Sequence, residues 1–231
     1  LIGVLMRNDK LIFDLGFHKG EDTAHYLSLG YNVVAVEANT FLCEVACRQF
    51  KDEIESGKLI LYNKAITNCI GEQLEFYINE ERPEVSSIYQ EIAEQNGKMS
   101  IKIDIQSITL YNLIANHGTP YYIKCDVEGV DSEVARQLQN IIAPKYISFE
   151  LNKIDYEDIF MYLKLSGYRK FQLINQIHNK INCSGDFGEL LNKNKWFSYA
   201  ETLSRYMKYR ELKIIDNVNL GVGWLDIHAT F

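Results

Sequence analysis

The stretch Leu11-Ile12-Phe13-Asp14-Leu15-Gly16-Phe17-His18-Lys19-Gly20 constrains the fold more than any other part of the chain. An apolar run enters a loop with two glycines, and a helical pattern from Glu21 to Leu29 follows, closed by Gly30 at the position where helices often end in glycine. It reads as strand, loop, helix. The unit then recurs. Asn32 to Val36 is β-branched and uninterrupted, as in a parallel strand buried on both faces, and Phe41 to Ile54 reads as its helix. Leu59 to Leu61 is a third strand, while Gln73 to Ile78 alternates like a half-exposed one. Tyr121 to Cys125 is a fourth buried strand, followed by a helix with Val130, Val134, Leu138 and Ile141 on one face. Lys145 to Phe149, a helix from Asp155 to Leu165, Tyr168 to Ile174 and Val222 to His228 complete the series. Alternation of this kind predicts an open, mostly parallel α/β sheet with helices on both faces.

At 231 residues and 47% hydrophobic, the chain is sized for one core, so residues 1–231 are expected to form a single domain. It begins at Leu1 rather than Met, which suggests a domain excised from a longer chain. Residues 79–100, polar with Pro83 and Gly97, read as an exposed loop and lid; 175–210 is aromatic and polar, and both are expected to be acceptor-side insertions. Lys and Arg number 24 against 31 Asp and Glu, a net charge of −7 that disfavours nucleic acid as a partner. The five cysteines are odd in number and contain no CxxC pair, so a disulfide framework and a zinc knuckle are not indicated, and a reducing cytoplasmic setting is expected. No apolar run approaches the ~20 residues of a membrane span.

In an open α/β sheet ligands sit beyond the carboxyl ends of the strands, where strand order reverses. Those positions are Asp14 to Gly20, Glu37 to Asn39, Asp126 to Gly129 and Glu150 to Lys153. The first follows Asp-x-Gly-x-x-x-Gly, not the glycine spacing of a dinucleotide loop, which would need glycine at 14 and 19. A carboxylate at Asp14 suits a ligand with an ammonium and a sulfonium and would repel a pyrophosphate. The alternative is that Asp14 satisfies local N–H groups of the loop. Glu37 can accept hydrogen bonds from ribose hydroxyls, although nicotinamide enzymes place an acid there too.

Three ordered segments carry a resemblance: Ile12 to Thr23; Val33-Val34-Ala35-Val36-Glu37-Ala38-Asn39; and Ile123-Lys124-Cys125-Asp126-Val127-Glu128-Gly129. Together they resemble the FkbM family of methyltransferases. The resemblance implies a Rossmann-like class I methyltransferase fold of seven strands with the last antiparallel, S-adenosylmethionine as cofactor, and O-methylation of a sugar or polyketide hydroxyl. It places Asp14, Gly16, Phe17, His18, Lys19, Gly20 and Thr23, then Glu37, Ala38 and Asn39, and finally Asp126, around the cofactor. Asp14, Gly16 and Gly20 fall at its methionine end and Glu37 on its ribose. A sugar or glycan is then the expected acceptor, with a glycosyltransferase fused to the chain or working beside it.

On the acceptor side Asp126 is the first candidate base, since it ends the fourth strand beside the expected methyl position. Glu128 could share its side or serve as a first-turn acid of the next helix. Glu150 ends the fifth strand and could bind acceptor hydroxyls or orient a base. His178 is the histidine that topology brings nearest, with a pKa suited to base work. Two carboxylates and a histidine could hold Mg²⁺, but the spacing gives no ligand geometry and no metal is predicted. The competing readings are a nicotinamide oxidoreductase and a nucleotide-binding module without catalysis.

Overall fold

The structure is a computed structural model that describes residues 7–95, 97, 99–151, 155–176, 183–215, 218–219 and 224–231. Its elements, in chain order, are β1 (Arg7–Leu15), α1 (Glu21–Ser28), β2 (Asn32–Glu37), α2 (Thr40–Gln49), α3 (Lys51–Glu55), β3 (Leu59–Asn63), β4 (Ala65–Ile66), β5 (Gln73–Ile78) and α4 (Gln90–Ala93). There follow β6 (Ile101–Ile108), α5 (Leu110–His117), β7 (Thr119–Cys125), α6 (Asp131–Gln137), β8 (Tyr146–Leu151), α7 (Tyr156–Leu165), β9 (Lys170–Asn175), α8 (Tyr199–Lys213), β10 (Ile214–Ile215), β11 (Val218–Asn219) and β12 (Leu225–Thr230).

Seven strands form one sheet in the order β3-β2-β1-β7-β8-β12-β9. β12 lies antiparallel to both β8 and β9, and the pairings from β3 through to β8 are parallel. Strand order reverses between β1 and β7, so a ligand crevice is expected over their carboxyl ends. The anticipated α/β class and antiparallel last strand are both present.

Alternation along the strands sorts the sheet into two faces. Leu11, Phe13 and Leu15 of β1, Val34 and Val36 of β2, Ile123 of β7 and Phe149 of β8 join one large core with residues of α5, α6 and α7. Ile12, Val33, Ala35 and Tyr122 face the other way, into a core with Tyr26 of α1, Ala46 of α2 and Phe187. Helix starts follow local chemistry. Asn39 Oδ1 accepts from the Phe41 and Leu42 amides to cap α2, and Thr109 Oγ1 accepts from the Asn112 amide to cap α5.

The structure revises several boundaries. The helix expected over 41–54 is two, α2 and α3, separated at Phe50, whose buried ring meets Phe17 edge-on at 5.7 Å. Packing of that ring fixes the break. Val130 and Ile141 flank α6 instead of lying in it, although Val130, Val134 and Leu138 are buried as the spacing predicts. Gln73 to Ile78 lies outside the main sheet. It pairs antiparallel with β6, a strand the sequence reading passed over, in a three-stranded sheet β4-β6-β5. The last strand begins at Leu225; positions 222 and 223 lie outside the described residues.

The two expected insertions behave differently. Ser87 in the 79–100 segment donates its hydroxyl to the Glu128 carbonyl at 2.6 Å, so this segment folds over the loop after β7. The 175–210 segment divides. Cys183 and Ser184 face the crevice, while Tyr206 of α8 is buried in the large core beside Tyr156 and Phe160. The five cysteines are all free, and no helix among the described residues is long and apolar enough to cross a membrane.

Candidate functional site

A cavity of about 390 Å³ opens over the carboxyl ends of the strands. One end is lined by Glu37, Ala38, Lys64 and Phe76, the other by Gln176, Ser184, Trp224 and Asp226, with Gly16, Asp126 and Glu128 between. It thus runs across the switch point from the β2 side to the β12 side.

The loop after β1 is clamped from both sides. The Gly16 and Phe17 amides donate to the Val36 carbonyl at 3.0 Å, and the Asp126 amide donates to the Leu15 carbonyl at 2.9 Å. Gly16 has a left-handed φ of 87°, and a Cβ there would lie 1.8 Å from the Asp126 carbonyl oxygen. Glycine is therefore required for this close approach. Gly20, also left-handed, sits under the Phe17 and Phe50 rings. The glycine spacing thus serves loop packing.

Phe17, His18, Glu37, Ala38 and Asp126 line the cavity with Gly16. Asp14, Lys19, Gly20, Thr23 and Asn39 do not. Asp14 is fully buried; its Oδ2 accepts from Thr23 Oγ1 at 2.6 Å, and its Oδ1 makes no hydrogen bond. Burial raises its pKa to about 7 against the pull of Lys124. The alternative of a local structural role describes its geometry. The carboxylates of this region that do face the cavity are Glu21 and Asp22, in the first turn of α1. Lys19 is exposed, and Asn39 is engaged as the α2 cap.

Glu37 is held by both oxygens. Its Oε2 accepts from the His18 amide and its Oε1 from the Asn39 amide, each at 2.7 Å. Burial still lifts its pKa to about 7. A carboxylate has further lone pairs, so this fixed group can accept from a pair of ligand hydroxyls. His18 adopts φ 52°, a left-handed conformation costing about 1–2 kcal/mol, and there its amide reaches Glu37. Burial holds its ring below the usual imidazole pKa.

Lys124 is the residue that motif reading overlooked. It is 5% exposed, and its Nζ donates to the Gly16 carbonyl at 3.0 Å. It also lies 3.3 Å from Asp126, 3.7 Å from Asp22 and 3.8 Å from Asp14. Burial opposes its charge, but these three carboxylates outweigh burial and keep it ionised. A lysine inside the apolar run Tyr121 to Cys125 was the available signal, because a buried lysine needs paired carboxylates.

Asp126, Glu128 and Glu150 converge, with one oxygen from each lying within 4.8 Å of the others. Burial works against ionisation of Asp126, yet Lys124 and a hydrogen bond from Glu150 hold its pKa below the usual carboxylate range. Burial and the Asp126 charge push Glu128 up to about 8 and Glu150 up to about 10. Near neutral pH the trio therefore carries about one negative charge, on Asp126, with a proton on Glu150. Three carboxylate oxygens at such spacing could also surround a hard cation, though Lys124 already supplies positive charge at 3.3 Å. The acids in the first turn of α6 are Asp131 and Glu133, so Glu128 is not a first-turn acid there. His178 lies outside the described residues.

Asp226 and Ser184 were not anticipated. Asp226 pairs across β12 and β8 with Glu150 and accepts from Gln176 Nε2. Ser184 donates from its amide and hydroxyl to Asp22 at 2.6 and 2.8 Å. Both lie in segments, Ser184 to Glu189 and Trp224 to Ala229, where the family resemblance is weak.

An open α/β sheet with a cavity across its switch point and an acid at the end of β2 defines a nucleoside-cofactor protein. The profile of the methyltransferase FkbM domain matches residues 14–170, more than half of the chain. The chain belongs to that family and is an S-adenosylmethionine-dependent methyltransferase. No curated protein matches its sequence. Among solved structures it is similar to a precorrin-6Y C5,15-methyltransferase from Geobacter metallireducens, with 9% identity and a TM-score of 0.44 over 97% of this chain and 80% of that one. The C-terminal domain of the Rhodobacter capsulatus counterpart gives 10%, 0.44, 98% and 82%; StiE O-MT residues 942–1257 give 8%, 0.46, 96% and 67%. These likenesses are too remote to bear on the acceptor.

The donor set suits the cofactor. Glu37 presents a fixed carboxylate for ribose hydroxyls, and Asp22 and Asp126 offer negative charge to an ammonium and a sulfonium. A pyrophosphate would meet the same acids unfavourably.

Proposed function

We propose that this protein is an O-methyltransferase acting on a hydroxyl of a sugar or glycan, with Asp126 as the carboxylate that receives the hydroxyl proton. The convergence of Glu150 on Asp126 and Glu128, two acids that line the cavity, carries this reading. When bound, the cofactor supplies an electrophilic methyl group on a sulfonium. The protein's part is to position an alcohol in line with that methyl and to remove its proton as oxygen attacks. Asp126 suits the second task because it is ionised and its side chain is 39% exposed at the cavity. Glu150, protonated, donates to Asp126 and orients it; Lys124 fixes it from the other side. Glu128 stands within reach as a stronger base once it ionises above about pH 8.

A polyketide-like hydroxyl would answer to the same carboxylates, but the half-exposed indole and polar groups at the β12 end favour a sugar. A glycosyltransferase, fused or separate, would supply such an acceptor. Asp126→Asn is expected to retain S-adenosylhomocysteine affinity within about threefold while turnover falls by about 10²–10⁴. Glu37→Ala should do the reverse, weakening cofactor binding by about tenfold or more at saturating turnover near that of the parent. Calorimetry and transfer of a labelled methyl group measure both. An unchanged rate in Asp126→Asn removes it from the base role.

A further inference from the structure

The cavity is longer than its cofactor end. From β2 to β12 is four strand positions, about 19 Å at about 4.8 Å per strand. Glu37 and Ala38 mark one end and Trp224 the other, on the far side of Asp126. Trp224 is 51% exposed although it lines the cavity, whereas the other tryptophan, Trp196, packs against Tyr146 with ring centroids 6.3 Å apart. The Trp224 backbone is held, since its carbonyl accepts from the Gln176 amide at 3.0 Å just beyond β9. The half-exposed indole thus offers an apolar plate to the cavity from an anchored backbone.

Polar groups stand around it. Gln176 donates to Asp226 and to the Ser184 carbonyl, and Ser184 donates to Asp22, which faces Lys124. Between Trp224 and the proposed base the cavity therefore carries two further carboxyl groups, Asp226 beside Trp224 and Glu128 beside Asp126. Apolar C–H faces stack on an indole, while adjacent hydroxyls bind carboxylates. Charge narrows the choice further. Glu21, Asp22, Glu84 and Asp126 all line the cavity, Lys124 is engaged by three aspartates, and Lys64 Nζ donates to Gln106. A phosphate or uronate beside Trp224 would face these acids, with Lys124 already held by aspartates and Lys64, which follows β3, at the opposite end of the cavity.

We propose that Trp224 is the acceptor platform, stacking the apolar face of an uncharged polyhydroxylated ring whose hydroxyls reach Asp226, Glu128 and Asp126. This rests on the sugar O-methyltransferase reading and names its acceptor class. The test uses the full chain loaded with S-adenosylhomocysteine and a panel of methyl hexopyranosides and 6-deoxyhexopyranosides, with hexose 6-phosphates and hexuronates as charged counterparts. The two indole N–H signals are followed by ¹⁵N NMR and assigned with Trp224→Phe.

At least one neutral glycoside is expected to shift the Trp224 signal and leave Trp196 in place. Its affinity should fall at least tenfold in Trp224→Ala and stay within threefold in Trp224→Phe, with S-adenosylhomocysteine affinity unchanged in both. Charged counterparts should bind at least tenfold more weakly. Equal glycoside affinity in Trp224→Ala, or equal binding of charged sugars, overturns the platform. Methyl transfer to a glycoside that survives undiminished in Trp224→Ala overturns it while leaving the O-methyltransferase reading intact. Failure of the parent protein to bind or methylate any glycoside, with cofactor binding intact, overturns both.

Discussion

The two faces of the seven-stranded sheet use the same strands for opposite purposes. On the face toward α5, α6 and α7, Phe13, Val34, Ile123 and Phe149 are apolar and fully enclosed. On the other, a register row crosses six strands as Ala35, Asp14, Lys124, Ser148, His228 and Gln172. Five of these six side chains are polar, and all six residues are buried. Neighbouring residues on each strand thus differ by one position and by the whole character of their surroundings. The apolar face holds the sheet together, and the polar face keeps a charged hub beneath the cavity, which teaches that the site is built below its visible wall. Buried charge of this kind is costly unless paired, so the polar row persists only because Lys124 meets Asp14, Asp22 and Asp126.

That contrast can be broken most severely at its hub. Lys124→Met should lower unfolding free energy by about 3–5 kcal/mol, because three carboxylates lose their cation, and should also weaken S-adenosylhomocysteine binding. Urea denaturation and calorimetry read the two effects. Phe13→Ala, on the apolar face of the same strand as Asp14, should cost about 3 kcal/mol through the cavity it leaves, with turnover unaffected well below the melting temperature. Parallel loss of turnover there would erase the division of labour.

A smaller effect lies at His228, whose ring is buried, stacks on Tyr122 with centroids 6.3 Å apart, and makes no hydrogen bond through either nitrogen. Burial pulls its pKa down to about 3, while the unfolded chain binds that proton near pH 6.5. The unfolded state therefore gains protons as pH falls from 6.5 toward 3, and stability drops through that window. His228→Phe should remove about 2 kcal/mol of the loss between pH 7 and 5, seen as a flatter melting-temperature profile. The mildest test concerns Glu128. Turnover should rise as pH passes about 8 and Glu128 ionises, and Glu128→Gln should abolish that rise, lowering the rate at pH 9 by about tenfold.

Much of the main sheet was legible in the sequence because its strands are unbroken apolar runs separated by helical periodicity. β6 was not read, although Ile101, Ile103 and Ile105 alternate with polar residues, because Lys102, Asp104 and Gln106 gave it the polarity of a loop. Strand-end acids were legible as candidates. Their orientation was not: Asp14 and Glu37 both end strands, yet Asp14 is sealed beneath the loop and Glu37 faces the cavity. Asp226 and Trp224 were not legible as site residues, since each reaches the cavity only through pairing of β12 with distant strands.

By itself the sequence determined the α/β alternation and the glycine loop after β1, because strand and helix periods and a tight turn are local properties of the chain, and its three ordered motifs carried the resemblance that the domain match bears out. Only tertiary structure decided which acids touch a ligand, which proton each keeps and where Trp224 stands. Those outcomes depend on burial and on charges brought together across the sheet. Lys124 shows the difference most plainly: in the sequence it interrupts a buried strand, and in the folded protein it joins three carboxylates and the glycine loop at one nitrogen.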